Sequence, residues 1–147
     1  MRIAAGCDGM TDTPSAAPLA GRHILIVEDE WLLADHLDGI VTDAGGTVLG
    51  PFATAGQALA ALAGDAPRPD AATLNVVLID HMSFDVADRL GDLAIPYTFL
   101  SANRPYTLPE RFRTTPLIGK PFSDRQVIEA LVVLMDEAEP ARTRTVG

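Results

Sequence analysis

Thr73–Asp80 reads TLNVVLID, an aliphatic run carrying two polar residues of interest, Asn75 and Asp80. A short apolar stretch of this kind, preceded by the loop-like PRPD at residues 67–70, has the character of a buried strand. Buried parallel strands present chemistry where they end, so the fold and the function both turn on where this strand stops. If it stops at Asn75, the strand edge carries an amide. If it continues to Asp80, the edge carries a carboxylate.

Working outward, short aliphatic runs alternate with helical patterns. HILIVED at residues 23–29 is a strand ending in acids, and residues 31–46 place Leu33, Leu37, Ile40, Val41 and Ala44 on one helical face before the Gly45–Gly46 stop. TVLGPFA at 47–53 is a second strand. A helix follows, with Thr54 and Gln57 at capping-box spacing and Gly64 as its stop. FDVADRLGDL begins a short helix at Phe84, IPYTFLSA is a fourth strand and PLIGKPF a fifth. The last helix opens with the capping pair Ser123 and Gln126. Pro105 and Pro109 predict a short or irregular helix between Asn103 and Thr115. This alternation predicts an α/β fold, a doubly wound, five-stranded parallel sheet of order 2-1-3-4-5 in flavodoxin-like arrangement. Its site lies at the carboxyl ends of the strands.

The 147 residues suit a single domain. Residues 1–21 and 137–147 read as flexible tails around a domain at 22–136, with Met10 as an alternative start and Pro140 breaking the end. A net charge of −9 argues against nucleic acid and anionic membrane as partners. No apolar run is long enough to span a bilayer. Cys7 is the single cysteine, which excludes an internal disulfide and fits a reducing, cytoplasmic setting.

Four predicted strand ends bring unlike groups to one crevice. Glu28, Asp29 and Glu30 leave the first strand, Asn75 or Asp80 the third, Ser101 the fourth and Lys120 the fifth. Carboxylates suit a hard cation, and a hydroxyl with an ammonium suits phosphate oxygens. Each has an ordinary reading as well. Acids favour a helix start, and strand ends commonly carry a hydroxyl or an exposed lysine.

ILIVEDE, PDAATLNVVL, IPYTFLSA and IGKPF together resemble the receiver domain of two-component response regulators, over about residues 22 to 136. FDVADRL, IPYTFLSA, LPERF and KPF more narrowly resemble an atypical, often stand-alone receiver group with a Phe-x-Thr-Gly-Tyr-Gly motif. The resemblance implies magnesium held by Glu28 and Asp29, phosphate contacts from Ser101 and Lys120, and a cis Lys120–Pro121 bond. It also implies a phosphoacceptor position, and the gap-free register puts Asn75 there. Using Asp80 instead requires a five-residue shift. An amide is a poor nucleophile, although its oxygen can serve as a neutral third metal ligand. ANRPY in place of Gly-Tyr-Gly, Leu117 at the usual switching aromatic and Val77 in a commonly polar position depart from the pattern in the same direction.

The expected function is therefore a non-enzymatic, phosphorylation-incompetent pseudo-receiver in a histidine–aspartate phosphorelay. Its partners would be a histidine kinase, a phosphotransferase or another signalling protein, with weak magnesium binding. One alternative is an active receiver using Asp80, or a native Asp where Asn75 now stands. Another is a flavodoxin-like small-ligand binder or enzyme. His23, His36 and His81 lack metal-site spacing, and Trp31 reads as packing against the first helix. On the last helix, Val127, Leu131 and Leu134 form one apolar stripe. Ile128, Val132 and Met135 form another, and Val133 widens the surface. That breadth suits either deep burial or a homodimer contact.

Overall fold

The structure is a computed structural model that describes residues 17–64, 67–78, 82–101 and 108–146, with side chains through residue 138. In chain order the elements are β1 (His23–Val27), α1 (Trp31–Asp43), β2 (Thr47–Phe52), α2 (Ala55–Ala63) and β3 (Ala71–Asn75). Then come α3 (Phe84–Asp92), β4 (Tyr97–Ser101), a 3-10 turn (Glu110–Phe112), β5 (Leu117–Gly119) and α4 (Asp124–Val146). The strands pair in parallel in the order β2-β1-β3-β4-β5, the 2-1-3-4-5 arrangement expected from the alternation.

Burial on both faces explains the aliphatic strands. Leu25, Val27, Ala72, Leu74 and Phe99 face α2 and α3, where Ala58, Val86 and Leu90, joined by Phe112 of the 3-10 turn, complete one core. Ile24, Ile26, Ala71 and Leu100 face α1 and α4, meeting Leu37, Val41, Val127 and Leu131. Both capping pairs form. The Thr54 hydroxyl accepts from Gln57 N at 3.1 Å, while Gln57 reaches back to Ala53 N rather than to the cap residue itself. Ser123 and Gln126 exchange reciprocal bonds of 3.1 and 2.8 Å.

Leu19 is fully buried in the α1/α4 core, and its N–H donates to Ala44 O at 2.9 Å, so the packed unit begins before residue 22. At the other end the α4 backbone continues through Pro140 to Val146 instead of stopping at 136. The two stripes of α4 are also resolved. Val127, Leu131, Leu134 and Met135 are buried, Ile128 and Val132 pack partly against the same core, and Val133 stays exposed. The breadth of the stripe is thus used largely within the chain.

β3 ends at Asn75, and its last pairing is Asn75 with Leu100. Val76 and Val77 have already left the strand. Val77 forms an isolated antiparallel bridge with Met82, and Ser83 N donates to Val76 O at 3.0 Å. Asp80 and His81 lie outside the described residues, as does Cys7. Of the irregular segment expected at 103–115, the described part is a single 3-10 turn at Glu110–Phe112. The Lys120–Pro121 bond is cis, as is Gly50–Pro51.

Candidate functional site

Parallel strands deliver their carboxyl ends to one edge. Val27 pairs with Leu74, so the next residues, Glu28 and Asn75, come side by side. Ser101 pairs with Gly119, and Lys120 N donates to Ser101 O at 2.8 Å, which sets Lys120 one step beyond the β4 end. The bulge in β2 matters on the opposite flank. The register moves from Leu25–Leu49 to Val27–Phe52, so β2 takes one extra residue there. Gly50 sits at φ +98 with a Cβ position only 2.7 Å from Phe52 N, so a side chain there would collide with backbone.

The crevice is closed by hydrogen bonds among four side chains. Asn75 Nδ2 donates toward Glu28 Oε2 at 3.2 Å, Asp29 Oδ1 at 3.1 Å and Val77 O at 2.8 Å. Asn75 Oδ1 accepts from Lys120 Nζ at 3.1 Å. Lys120 Nζ also lies 3.3 Å from Glu28 Oε1, in an ion pair poorly aligned for a hydrogen bond. The backbone N–H of Glu30 donates to Glu28 Oε2 at 3.2 Å. Amide orientation is set by such a network. Turning the Asn75 amide over would put its oxygen against two carboxylates and a carbonyl, and its NH2 against the ammonium.

Glu28 is only 2% exposed. Burial raises its pKa above the ordinary carboxylate value, and the Lys120 ammonium opposes that rise without cancelling it. Two carboxylates face one ammonium, and Asn75 supplies donors without adding charge.

The structure therefore brings together Glu28, Asp29, Asn75 and Lys120, and places Ser101 at the adjoining strand end. It turns the Asn75 oxygen toward Lys120 rather than toward the acids, because the acids demand a donor. A divalent cation implied by the receiver resemblance would find hard oxygen donors in Glu28, Asp29 and the Val77 carbonyl, a set suited to magnesium or calcium. Among the described residues no three His, Cys, Asp or Glu side chains form a metal cluster. The cation set thus rests on two carboxylates and a carbonyl, with the Asn75 nitrogen in their midst. As a nucleophile the crevice offers an uncharged amide.

An open groove of about 310 Å³ leads from the acids along α1, between Trp31, Asp35 and Asp38 on one side and Pro51 and Ala53 on the other. Trp31 and Leu32 are 75% and 67% exposed, so Trp31 does not pack down as expected. As the first helical residue, it projects where α1 has just left the sheet. Asp35 and Asp38 were not singled out from the sequence. Their spacing of four and seven residues from Trp31 is the signal that places them on its face. His36 and His23 make ordinary contacts, with Asp124 at 3.2 Å and Asp70 at 3.9 Å. A separate cavity between β2 and α2, of about 160 Å³, is smaller than typical ligand pockets.

No family model matches the chain. The phyllosphere-induced regulator PhyR of Methylorubrum extorquens is 33% identical over 129 residues, covering 82% of this chain and 46% of that protein. The chain therefore spans about half the length of that curated relative. The solution structure of SdrG from Sphingomonas melonis Fr1 is 33% identical with a TM-score of 0.65, covering 79% of this chain and 98% of SdrG. The response regulator PhyR from Brucella abortus is 25% identical with a TM-score of 0.74, covering 90% of this chain and 55% of that one. With the predicted sheet order, the strand-end crevice and this likeness in hand, the chain belongs to the receiver-domain family of response regulators.

Proposed function

We propose that this receiver domain is a phosphorylation-incompetent pseudo-receiver, a cytoplasmic, non-enzymatic signalling module that works through protein–protein contact. The observation that carries the reading is Asn75 at the end of β3. An amide there lacks the charge needed to attack phosphorus, and both of its ends are already hydrogen-bonded. Similarity to response regulators supports a role in histidine–aspartate signalling, with a histidine kinase, phosphotransferase or other signalling protein as partner. Exposed Trp31, in the groove beside the acids, offers such a partner an apolar anchor. Magnesium binds weakly, and more weakly than in Asn75→Asp, because one negative charge is missing from the crevice.

Phosphoryl incorporation from acetyl phosphate with magnesium tests this in four proteins: the natural sequence, Asn75→Asp, Asp80→Ala and the double variant. Incorporation is expected only in the two that carry Asn75→Asp, with Asp80→Ala making little difference. Incorporation by the natural sequence that Asp80→Ala abolishes would place the acceptor at Asp80 and end the pseudo-receiver reading. Incorporation by none of the four would leave the protein inactive but refute a pocket otherwise ready for phosphate.

A further inference from the structure

We infer that the Asn75 side-chain nitrogen is the resident occupant of this crevice's cation position, so that Asn75 keeps a divalent ion out rather than helping to bind it. Three oxygens of three residues surround that nitrogen: Glu28 Oε2, Asp29 Oδ1 and Val77 O, at 3.2, 3.1 and 2.8 Å. A carboxylate pair and a carbonyl converging on one point is the donor set of a hard cation. Here the point is filled by an N–H donor from the chain itself.

The other end of the amide is held as firmly. Its oxygen faces Lys120 Nζ at 3.1 Å, so it is directed away from the two acids. An entering ion must displace the nitrogen, and rotation to offer the oxygen breaks the Lys120 bond and aims NH2 at an ammonium. The two amide protons shared among Glu28, Asp29 and Val77 lose their acceptors, and the Lys120 bond is lost as well; bonds to charged groups are stronger than neutral ones.

The consequence is opposite in sign to that of a neutral oxygen ligand. If the amide oxygen ligated the ion, deleting the side chain would weaken binding. If the amide nitrogen blocks the ion, deletion leaves two carboxylates and a carbonyl without a donor, and binding tightens. The natural protein then holds its crevice closed without magnesium, and its contact surface does not depend on the ion.

This inference rests on reading the crevice as a cation site, and is independent of whether Asn75→Asp accepts phosphate. Magnesium is titrated calorimetrically into the full chain, Asn75→Ala and Asn75→Asp. Asn75→Ala is expected to bind roughly tenfold or more tighter than the natural sequence, from loss of the competing charge-assisted bonds. Equal or weaker binding by Asn75→Ala, with Asn75→Asp still binding, overturns the inference and leaves the cation reading standing. Absence of binding in all three removes both. Should Asn75→Ala fail to fold, the Asn75 side-chain amide of the natural protein is followed by nitrogen–proton NMR. Its protons are expected to exchange slowly without magnesium and to lose that protection as the ion saturates. Saturation with protection unchanged overturns the inference.

Discussion

Beneath β4 and at the carboxyl ends of β1, β3 and β5, the same sheet uses two different kinds of glue. Beneath it, Phe99 meets Phe84, Tyr97 and Phe112 edge-on at 6.1, 5.6 and 5.5 Å, and Phe84 stacks on Phe112 at 5.3 Å. At the strand ends, a carboxylate, an amide and an ammonium interlock in a buried polar net. The aromatic cluster gains its energy from area and tolerates small changes of angle. The polar net gains little overall, because desolvation offsets attraction, yet it loses heavily when one member goes. The first secures the irregular segment after β4, and the second fixes the chemical state of the crevice. The two kinds of glue thereby occupy different parts of one sheet.

The largest effect should come from the apolar side. Phe112→Ala removes a buried ring that touches two others, and is expected to cost about 3–5 kcal/mol. Chemical denaturation measures this, and a loss near 1 kcal/mol would show that the 3-10 turn is only loosely attached. On the polar side, Lys120→Met leaves Glu28 buried without its cation. The expected cost near neutral pH is about 2–3 kcal/mol, below that of a fully enclosed pair because Glu28 can take a proton.

That cost should depend on pH in a stated direction. The folded state already raises the Glu28 pKa above its ordinary 4.5, chiefly by burial. Between the ordinary and the raised value the folded form binds more protons than the unfolded one, so this group's contribution falls as pH rises. Removing Lys120 raises the folded value further and widens that window. Melting temperatures of the natural protein and Lys120→Met should therefore converge as pH falls toward 4.5 and separate as it rises. A gap that grows on acidification would mean that Glu28 is not the group responsible.

The smallest effect belongs to the clasp outside the aromatic cluster. Arg111 grips Asp88 with two bonds, of 2.9 and 3.0 Å, and lies over Phe112 at 4.5 Å, but it is exposed to solvent. Exposed pairs contribute little. Arg111→Ala should melt within a degree or two of the natural protein, a shift small on the scale of single-residue effects. A shift comparable to that of Phe112→Ala would make the clasp, not the ring, the anchor.

Much of this was readable in the sequence because strands buried on both faces must be aliphatic and helices that cover them must carry one stripe. Leu37, Ile40, Val41, Val127 and Leu131 all fall where periodicity puts them. Glu28, Asn75, Ser101 and Lys120 were found because a parallel sheet gathers strand ends. Three things escaped. Leu19 sits in an Ala/Pro-rich stretch whose composition conceals a single buried anchor. Trp31 is exposed although large aromatics are usually covered, since its position at the first turn of α1 decides the matter. The direction of the Asn75 amide was hidden because composition gives the donor and acceptor to the same residue. Only the charges on either side, brought together by folding, choose between them.

The neck formed by Val76, Val77, Met82 and Ser83 gives the amide a mechanical meaning. Asn75 holds Val77 O, Val77 is bridged to Met82, and Ser83 at the start of α3 is tied back to Val76 O. Side-chain rotation at the crevice and displacement of the α3 entrance are therefore two coordinates of one linkage. Linkage is reciprocal: a ligand that draws α3 outward loosens the amide by as much free energy as freeing the amide favours that ligand.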